Sequence, residues 1–192
     1  QLRVVKNLKE KILKEGVGKD YLIQHSTGSG KSLSIGWLSH LLVTLFEEDN
    51  SNKRVFDSVI VVTDRKVLDK QINSVLQQLD SRPGVVNKST NNKKLYEFLS
   101  SGKDIIVTTV QKFPYLLSNF SDELSKHLQN KRFGIIIDEV HSSQFGESHK
   151  DLRRSLTDTS TLEDVDEFNL DETILNEMDS IQKRHNLSFF GF

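Results

Sequence analysis

Residues 21–32 constrain the fold more than any other part of the sequence. They read YLIQHSTGSGKS: a short apolar run, a loop of small residues and the pair Lys31-Ser32, followed by apolar residues at helical spacing. The order of strand, glycine-rich loop, Lys-Ser and helix is typical of a loop that binds phosphate groups. Glycines let backbone N–H groups turn inward, and the start of the next helix adds partial positive charge. We therefore predict a nucleotide site, with a chance glycine-rich loop as the weaker alternative.

Individual residues of this loop have predicted roles. Lys31 can reach the β- and γ-phosphates, and the Ser32 hydroxyl can ligate Mg²⁺. The predicted cofactor-binding residues of the loop are Thr27, Gly28, Ser29, Gly30, Lys31 and Ser32. His25 stands where the general pattern has its first glycine, and we interpret it as a polar residue at a strand end rather than a catalytic one.

A second apolar strand, predicted at residues 133–137, ends in two carboxylates, Asp138 and Glu139. Ligands of parallel α/β sheets bind at the carboxyl edge of the strands, so both acids are expected beside the glycine loop. Asp138 is predicted to hold Mg²⁺ through water, and Glu139 to orient and deprotonate the attacking water. An acidic pair alone is common as a surface turn, but together with Lys31 it forms a predicted catalytic set for ATP hydrolysis.

Runs of Val and Ile alternate with helical patterns along the rest of the chain. Strands are predicted at about 21–23, 59–62, 104–108, 133–137 and 187–190, and helices at about 1–15, 31–46, 66–79 and 93–99. Continuous apolar strands indicate burial on both faces. The pattern therefore predicts an α/β fold with a mostly parallel central sheet and helices on both faces. Residues 47–54 are predicted to form a loop and 82–84 a turn.

The charges are unevenly distributed along the chain. The 26 basic and 27 acidic residues give a net charge of −1, but nine of the acids and no Lys or Arg lie between residues 155 and 180. The remainder is mildly basic, which is compatible with contacts to phosphate groups. We predict one domain over residues 1–192, with an acidic insertion at about 155–182 that is helical and exposed or partly disordered.

The cysteine content, the apolar runs and the ends of the sequence bear on where the protein is located and whether the chain is a fragment. The chain has no cysteine, which excludes disulfides and thiol chemistry and favours a cytoplasmic protein. No apolar run approaches the roughly 20 residues of a membrane span, and no signal peptide is visible. Because the sequence starts with Gln1 and stops at Phe192 directly after an apolar run, we expect a fragment of a longer chain.

The residues around the acidic pair resemble a known family. The sequence DEVH at 138–141 is similar to the Asp-Glu-x-His motif of superfamily 2 helicases, and SSQFGE at 142–147 resembles the extended motif of the R (motor) subunit of type I restriction enzymes. Further motifs of that family resemble residues 24–32, 61–71, 106–113 and 189–192. Helicase-like ATPases often lack the first glycine of the phosphate loop, as this chain does at His25.

The resemblance implies the first RecA-like lobe of a P-loop NTPase motor that uses ATP and Mg²⁺ to translocate double-stranded DNA. It also implies cleavage by a nuclease domain outside this chain, and a complex with specificity and modification (methyltransferase) subunits. By resemblance, the DNA backbone is gripped by Thr63, Arg65, Thr109, Gln111 and Lys112.

Three further residues receive roles from the resemblance. Gln1 would recognise the adenine base, although a frayed terminal residue is an equal alternative. His141 and Gln144 would couple the ATP site to a second lobe, with a satisfied interior histidine as the alternative for His141. For Arg65 the alternative is a helix cap.

Three other functions remain open at this stage. One is a different superfamily 2 DNA or RNA helicase, and another is a nucleotide-binding module with little hydrolysis of its own. The third is a small-molecule kinase, which the phosphate loop alone allows but which fits poorly with the Asp-Glu-x-His sequence. The isolated chain is expected to hydrolyse ATP weakly, because the arginine that stabilises transition-state charge usually comes from the second lobe. Such an arginine is worth about 10³–10⁵ in rate.

Overall fold

The computed structural model describes residues 2–25, 29–50, 52–63, 66–80, 84–113, 115, 128, 131–138 and 186–192. Its helices are α1 (Leu2–Glu15), α2 (Lys31–Val43), α3 (Lys66–Leu79) and α4 (Asn92–Ser101), and a 3₁₀ turn covers Val110–Lys112. Its strands are β1 (Asp20–Leu22), β2 (Ser58–Thr63), β3 (Val86–Lys88), β4 (Ile105–Thr109), β5 (Phe133–Ile137) and β6 (Leu187–Gly191). The predicted acidic insertion lies outside the described residues.

The six strands form one sheet in the order β1-β6-β5-β2-β4-β3, and every neighbouring pair is parallel. β2 lies between β5 and β4, and all six of its residues are buried. A strand in this position has both faces covered, which is why its sequence is continuously apolar rather than alternating. The predicted α/β fold with a parallel central sheet is confirmed.

Two apolar cores lie on opposite faces of the sheet. Successive residues of a strand point to opposite faces. Accordingly, Val59 and Val61 of β2 pack with α1, α2 and α3, whereas Ile60 and Val62 pack with α4 and the segment after β4. The prediction of helices on both faces is therefore confirmed as well.

The strand β3 was not predicted. It has only three residues, all half-buried, and its sequence Val-Asn-Lys has no apolar run. It lies at the edge of the sheet and pairs only with β4 within the described part of the chain. Its strand conformation therefore depends on hydrogen bonds to β4. The local sequence of β3 does not reveal this pairing.

The helix α2 is shorter than predicted and ends at Val43 rather than near residue 46. The hydroxyl of Thr44 donates to the carbonyl oxygens of His40 and Leu41, at 2.9 and 3.0 Å, and thereby satisfies acceptors of the last turn. Beyond it, Phe46 forms an antiparallel bridge with Arg54, which closes the predicted loop.

The helix α2 is packed between α1 and α3. Gly36 faces α3 so closely that an added Cβ would lie 2.7 Å from Cδ1 of Leu79, and this small residue lets the two helices approach. The neighbours on both sides explain why α2 is apolar around most of its circumference. None of the helices within the described residues is long and apolar enough to cross a membrane.

Replacing Phe56 with alanine is expected to lower the free energy of unfolding by about 3–5 kcal/mol. The side chain is fully buried, its ring meets Phe190 edge-on at 6.2 Å between centroids, and it covers Gly134 of β5. Urea unfolding would measure the loss. The matched control is Phe46→Ala, because Phe46 is 41% exposed. Equal losses for the two variants would contradict the central position given to Phe56.

Candidate functional site

The carboxyl ends of the central strands meet at one edge of the sheet. Ile137 at the end of β5 is in register with Val62 of β2 and with Gly191 of β6. On the other side of β2, Thr63 is in register with Thr109 of β4. Side chains that follow these strands therefore emerge at the same level, as is typical of ligand-binding edges in parallel α/β sheets.

Lys31 and Asp138 form an ion pair at this edge. Nζ of Lys31 lies 2.9 Å from Oδ1 of Asp138, although the two residues come from the start of α2 and the end of β5. The Asp138 side chain is only 4% exposed, and that of Lys31 is 25% exposed. A buried carboxylate without a nearby opposite charge is costly, and the contact with the ammonium of Lys31 offsets part of that cost.

The start of α2 is shaped by Gly30. This residue has φ = 85°, a left-handed conformation that favours glycine, and it occupies the N-cap position of the helix. Its carbonyl oxygen accepts hydrogen bonds from the backbone N–H of Ser34 at 3.1 Å and from its hydroxyl at 3.3 Å. Glycine has no side chain that could accept a hydrogen bond from the start of the helix. The N–H groups of the first turn, which face the same edge as Lys31, therefore have no side-chain acceptor at residue 30.

His25 follows β1 at this edge, as the sequence analysis predicted for a polar strand-end residue. Its Nδ1 lies 2.8 Å from Oγ of Ser29, and its ring packs on that of Phe192 with centroids 5.6 Å apart. Burial of the ring lowers the pKa of His25, and the charge of Lys31 lowers it further. The sequence analysis did not identify either contact; the available signal was a hydroxyl four residues after the histidine.

The predicted DNA-binding residues that the structure describes lie at the carboxyl ends of β2 and β4 or in the 3₁₀ turn after β4. Thr63 is fully buried and its hydroxyl lies 3.5 Å from the carbonyl oxygen of Thr108. Thr109 is 6% exposed, whereas Gln111 in the 3₁₀ turn is exposed. Of these three side chains, Gln111 is therefore the most accessible to a macromolecular ligand.

Lys112 contacts Ser89, a residue that the sequence analysis did not single out. Its Nζ donates to the carbonyl oxygen of Ser89 and lies 3.1 Å from Oγ of the same residue. Ser89 is 1% exposed, and both its N–H and its hydroxyl donate to the carbonyl oxygen of Val107, at 2.9 and 3.1 Å. The lysine thus ties the 3₁₀ turn to the segment after β3.

A Lys112→Met variant distinguishes this internal contact from a contact to DNA phosphate. Hydrogen bonds to charged groups are worth about 1.5–3 kcal/mol. We expect the variant to lose unfolding free energy of that size or somewhat less, since the Lys112 side chain is partly exposed. Ser89→Ala is the matched partner, and the double variant should lose less than the sum of the single losses. Unchanged stability, with the salt dependence of DNA binding reduced by about one ion, would instead indicate a phosphate contact.

Several predicted site residues lie outside the part of the chain that the structure describes. They are Gln1, Thr27, Gly28, Arg65, Glu139, His141 and Gln144. The described site therefore consists of Lys31, Ser32 and Asp138, with Ser29 and Gly30 leading into α2. Glu139 follows Asp138 directly in the chain.

The sequence matches a family of ATPases over most of its length. Residues 1–163 match the model of the SWI2/SNF2 ATPase family. A looser likeness links the fold to a DEAD box protein from Methanococcus jannaschii, with a TM-score of 0.49 and 19% identity over 96% of this chain and 48% of that one. The parallel α/β architecture is established by the strand order itself.

Two bacterial relatives are similar to this chain over about two thirds of its residues. The type I restriction enzyme SsaAORF53P endonuclease subunit of Staphylococcus saprophyticus is 35% identical over 133 residues, or 69% of this chain. The SauCOLORF180P endonuclease subunit of Staphylococcus aureus is 34% identical over 134 residues, again 69%. Each match covers 13% of the relative's own length. This chain belongs to the SWI2/SNF2 ATPase family, and its relatives are endonuclease subunits of type I restriction enzymes.

Proposed function

We propose that residues 1–192 form the first RecA-like lobe of the ATP-driven motor in a type I restriction enzyme R subunit. In this proposal the motor translocates double-stranded DNA ahead of cleavage by a nuclease domain outside these residues. The observation that carries it is the 2.9 Å pair of Lys31 and Asp138, which joins the phosphate-loop lysine to the acid at the end of β5. The names of the relatives support the assignment to a restriction enzyme.

The described residues fit ATP with Mg²⁺. Mg²⁺ prefers oxygen ligands and retains several of its waters, so it needs few ligands from the protein. Ser32 in the first turn of α2 and the buried Asp138 supply a hydroxyl and a carboxylate at the same sheet edge. When bound, the ion would neutralise charge on the phosphate oxygens.

The chain's own residues would do the remaining work. The ammonium of Lys31 would exchange its contact with Asp138 for the β- and γ-phosphates, and the N–H groups at the start of α2 would face the same oxygens. Glu139 would accept a proton from the attacking water, and Gln1 would hydrogen-bond the adenine edge. His141 and Gln144 would transmit the state of this site to a second lobe.

DNA would lie across the ends of β2 and β4. The exposed amide of Gln111, together with Arg65 and Lys112, suits phosphate oxygens without reading base sequence. Thr63 and Thr109 are buried, so their hydroxyls would need a local rearrangement to reach DNA. Site recognition would then belong to the specificity and modification subunits. Within this proposal residues 1–192 hydrolyse ATP slowly when isolated, because the transition-state arginine is supplied by the second lobe.

The rate of ATP hydrolysis by the complete protein, measured with duplex DNA, with RNA and without nucleic acid, tests the proposal. We expect duplex DNA to stimulate hydrolysis more than RNA does, and Lys31→Ala to abolish the stimulation. Equal or greater stimulation by RNA would overturn the restriction-motor assignment in favour of a different helicase. Failure of the unaltered protein to bind ATP would overturn the nucleotide site itself.

A further inference from the structure

The side chains of His25 and Ser29 join the two ends of the phosphate-binding loop. These residues flank positions 26–28, and the bond between Nδ1 of His25 and Oγ of Ser29 is 2.8 Å long. The bond therefore links a residue that follows β1 to a residue just before α2. Ser29 leads directly into Gly30 and the first turn of α2, where the nucleotide phosphates would be held.

The imidazole is held in place by the sheet rather than by the loop. Its ring packs on Phe192, which follows β6 and is 5% exposed. The backbone N–H of Phe192 donates to the carbonyl oxygen of Ile137 at 2.9 Å, and that of Ile23 donates to Gly191 at 2.7 Å. The histidine thus connects Ser29 to the backbone of three neighbouring strands, β1, β6 and β5.

The two nitrogens of the His25 ring have different surroundings, because Nδ1 lies within hydrogen-bond distance of Ser29 and Nε2 does not contact a polar partner among the described residues. Burial and the nearby charge of Lys31 lower the pKa of His25. Its second nitrogen, Nε2, is buried and makes no hydrogen bond within the described residues. The bond to Ser29 is therefore the polar contact that orients the ring in this part of the chain.

We propose that His25 is a positioning residue that, through Ser29, fixes the chain at the start of α2 for the binding of nucleotide phosphates. Fixing the backbone of a flexible residue costs about 1–2 kcal/mol, so a Ser29 that is already held in place in the free protein favours tighter binding of phosphate. This inference rests on the proposed function, because it concerns the same nucleotide site. It assigns His25 an effect on nucleotide affinity and none on the chemical step.

The test is the affinity of the complete protein for ADP with Mg²⁺, measured by titration calorimetry. His25→Phe keeps an aromatic ring against Phe192 but removes both nitrogens, and we expect about 3–10-fold weaker binding, the value of one ordinary hydrogen bond. Ser29→Ala should weaken binding to the same extent, and the double variant should lose no more than either alone. For His25→Phe, the KM for ATP should rise while kcat stays almost unchanged.

Two further variants make the test specific. His25→Asn places an amide near the position of Nδ1 and should restore most of the affinity, whereas His25→Gln places it near Nε2 and should not. Affinity of His25→Phe equal to that of the unaltered protein, or additive losses in the double variant, would overturn the inference. The unaltered protein and Lys31→Ala separate the two proposals. ADP binding that Lys31→Ala loses but His25→Phe keeps at full strength would overturn this inference and leave the nucleotide site standing, whereas no ADP binding by the unaltered protein would overturn both.

Discussion

Replacing Glu139 with glutamine is expected to lower the rate of ATP hydrolysis about 10²–10⁴-fold, the usual contribution of a general base. Glutamine has nearly the same size and can still orient a water molecule, but it cannot accept the proton. Because Glu139 is not assigned to hold the nucleotide, the affinity for ATP should stay close to that of the unaltered protein. Steady-state hydrolysis and equilibrium binding of ATP, measured on the same preparation, would separate the two effects.

The control for this variant is Glu97→Gln. Glu97 is an exposed residue of α4 that pairs with Lys94 at 2.8 Å, away from the strand ends. The same change of side chain there should leave hydrolysis unchanged. Near-normal turnover by Glu139→Gln would remove the general-base assignment, and a parallel loss of ATP binding would assign this residue to nucleotide binding instead.

Replacing Lys31 with alanine is expected to lower kcat by about 10²–10³-fold and to weaken ATP binding as well. A positioned cation at the transferring phosphoryl group contributes roughly that much to transition-state stabilisation. Lys6→Ala, at an exposed position of α1, is the matched control and should hydrolyse ATP normally. Normal hydrolysis by Lys31→Ala would show that the phosphates bind elsewhere.

The same change also removes the partner of a buried acid, so a loss of stability has to be separated from a loss of chemistry. Breaking a buried ion pair costs about 3–5 kcal/mol, and a smaller loss is expected here because Lys31 reaches solvent. The double variant Lys31→Ala/Asp138→Asn removes the unpaired charge. It should recover most of the unfolding free energy without recovering hydrolysis, whereas recovery of both would contradict the role given to Lys31.

Much of the fold follows from local patterns in the sequence. The predicted helix at 66–79 agrees with α3, and the predicted strand at 133–137 agrees with β5. Helical periodicity and continuous Val and Ile runs depend only on neighbouring residues and on burial, so they can be recognised without the tertiary structure. β3 was missed because its three residues adopt a strand only through pairing with β4.

The sequence by itself determined the parallel α/β architecture and predicted the phosphate-binding loop, since both depend on the order and spacing of nearby residues. The contact of Lys31 with Asp138 agrees with the expectation that this acid lies beside the glycine loop. Only the tertiary structure decided that Lys112 meets Ser89 and that His25 meets Phe192. These contacts depend on the strand order β1-β6-β5-β2-β4-β3. Strand order is set by the packing of the whole sheet against its helices, and no single segment encodes it.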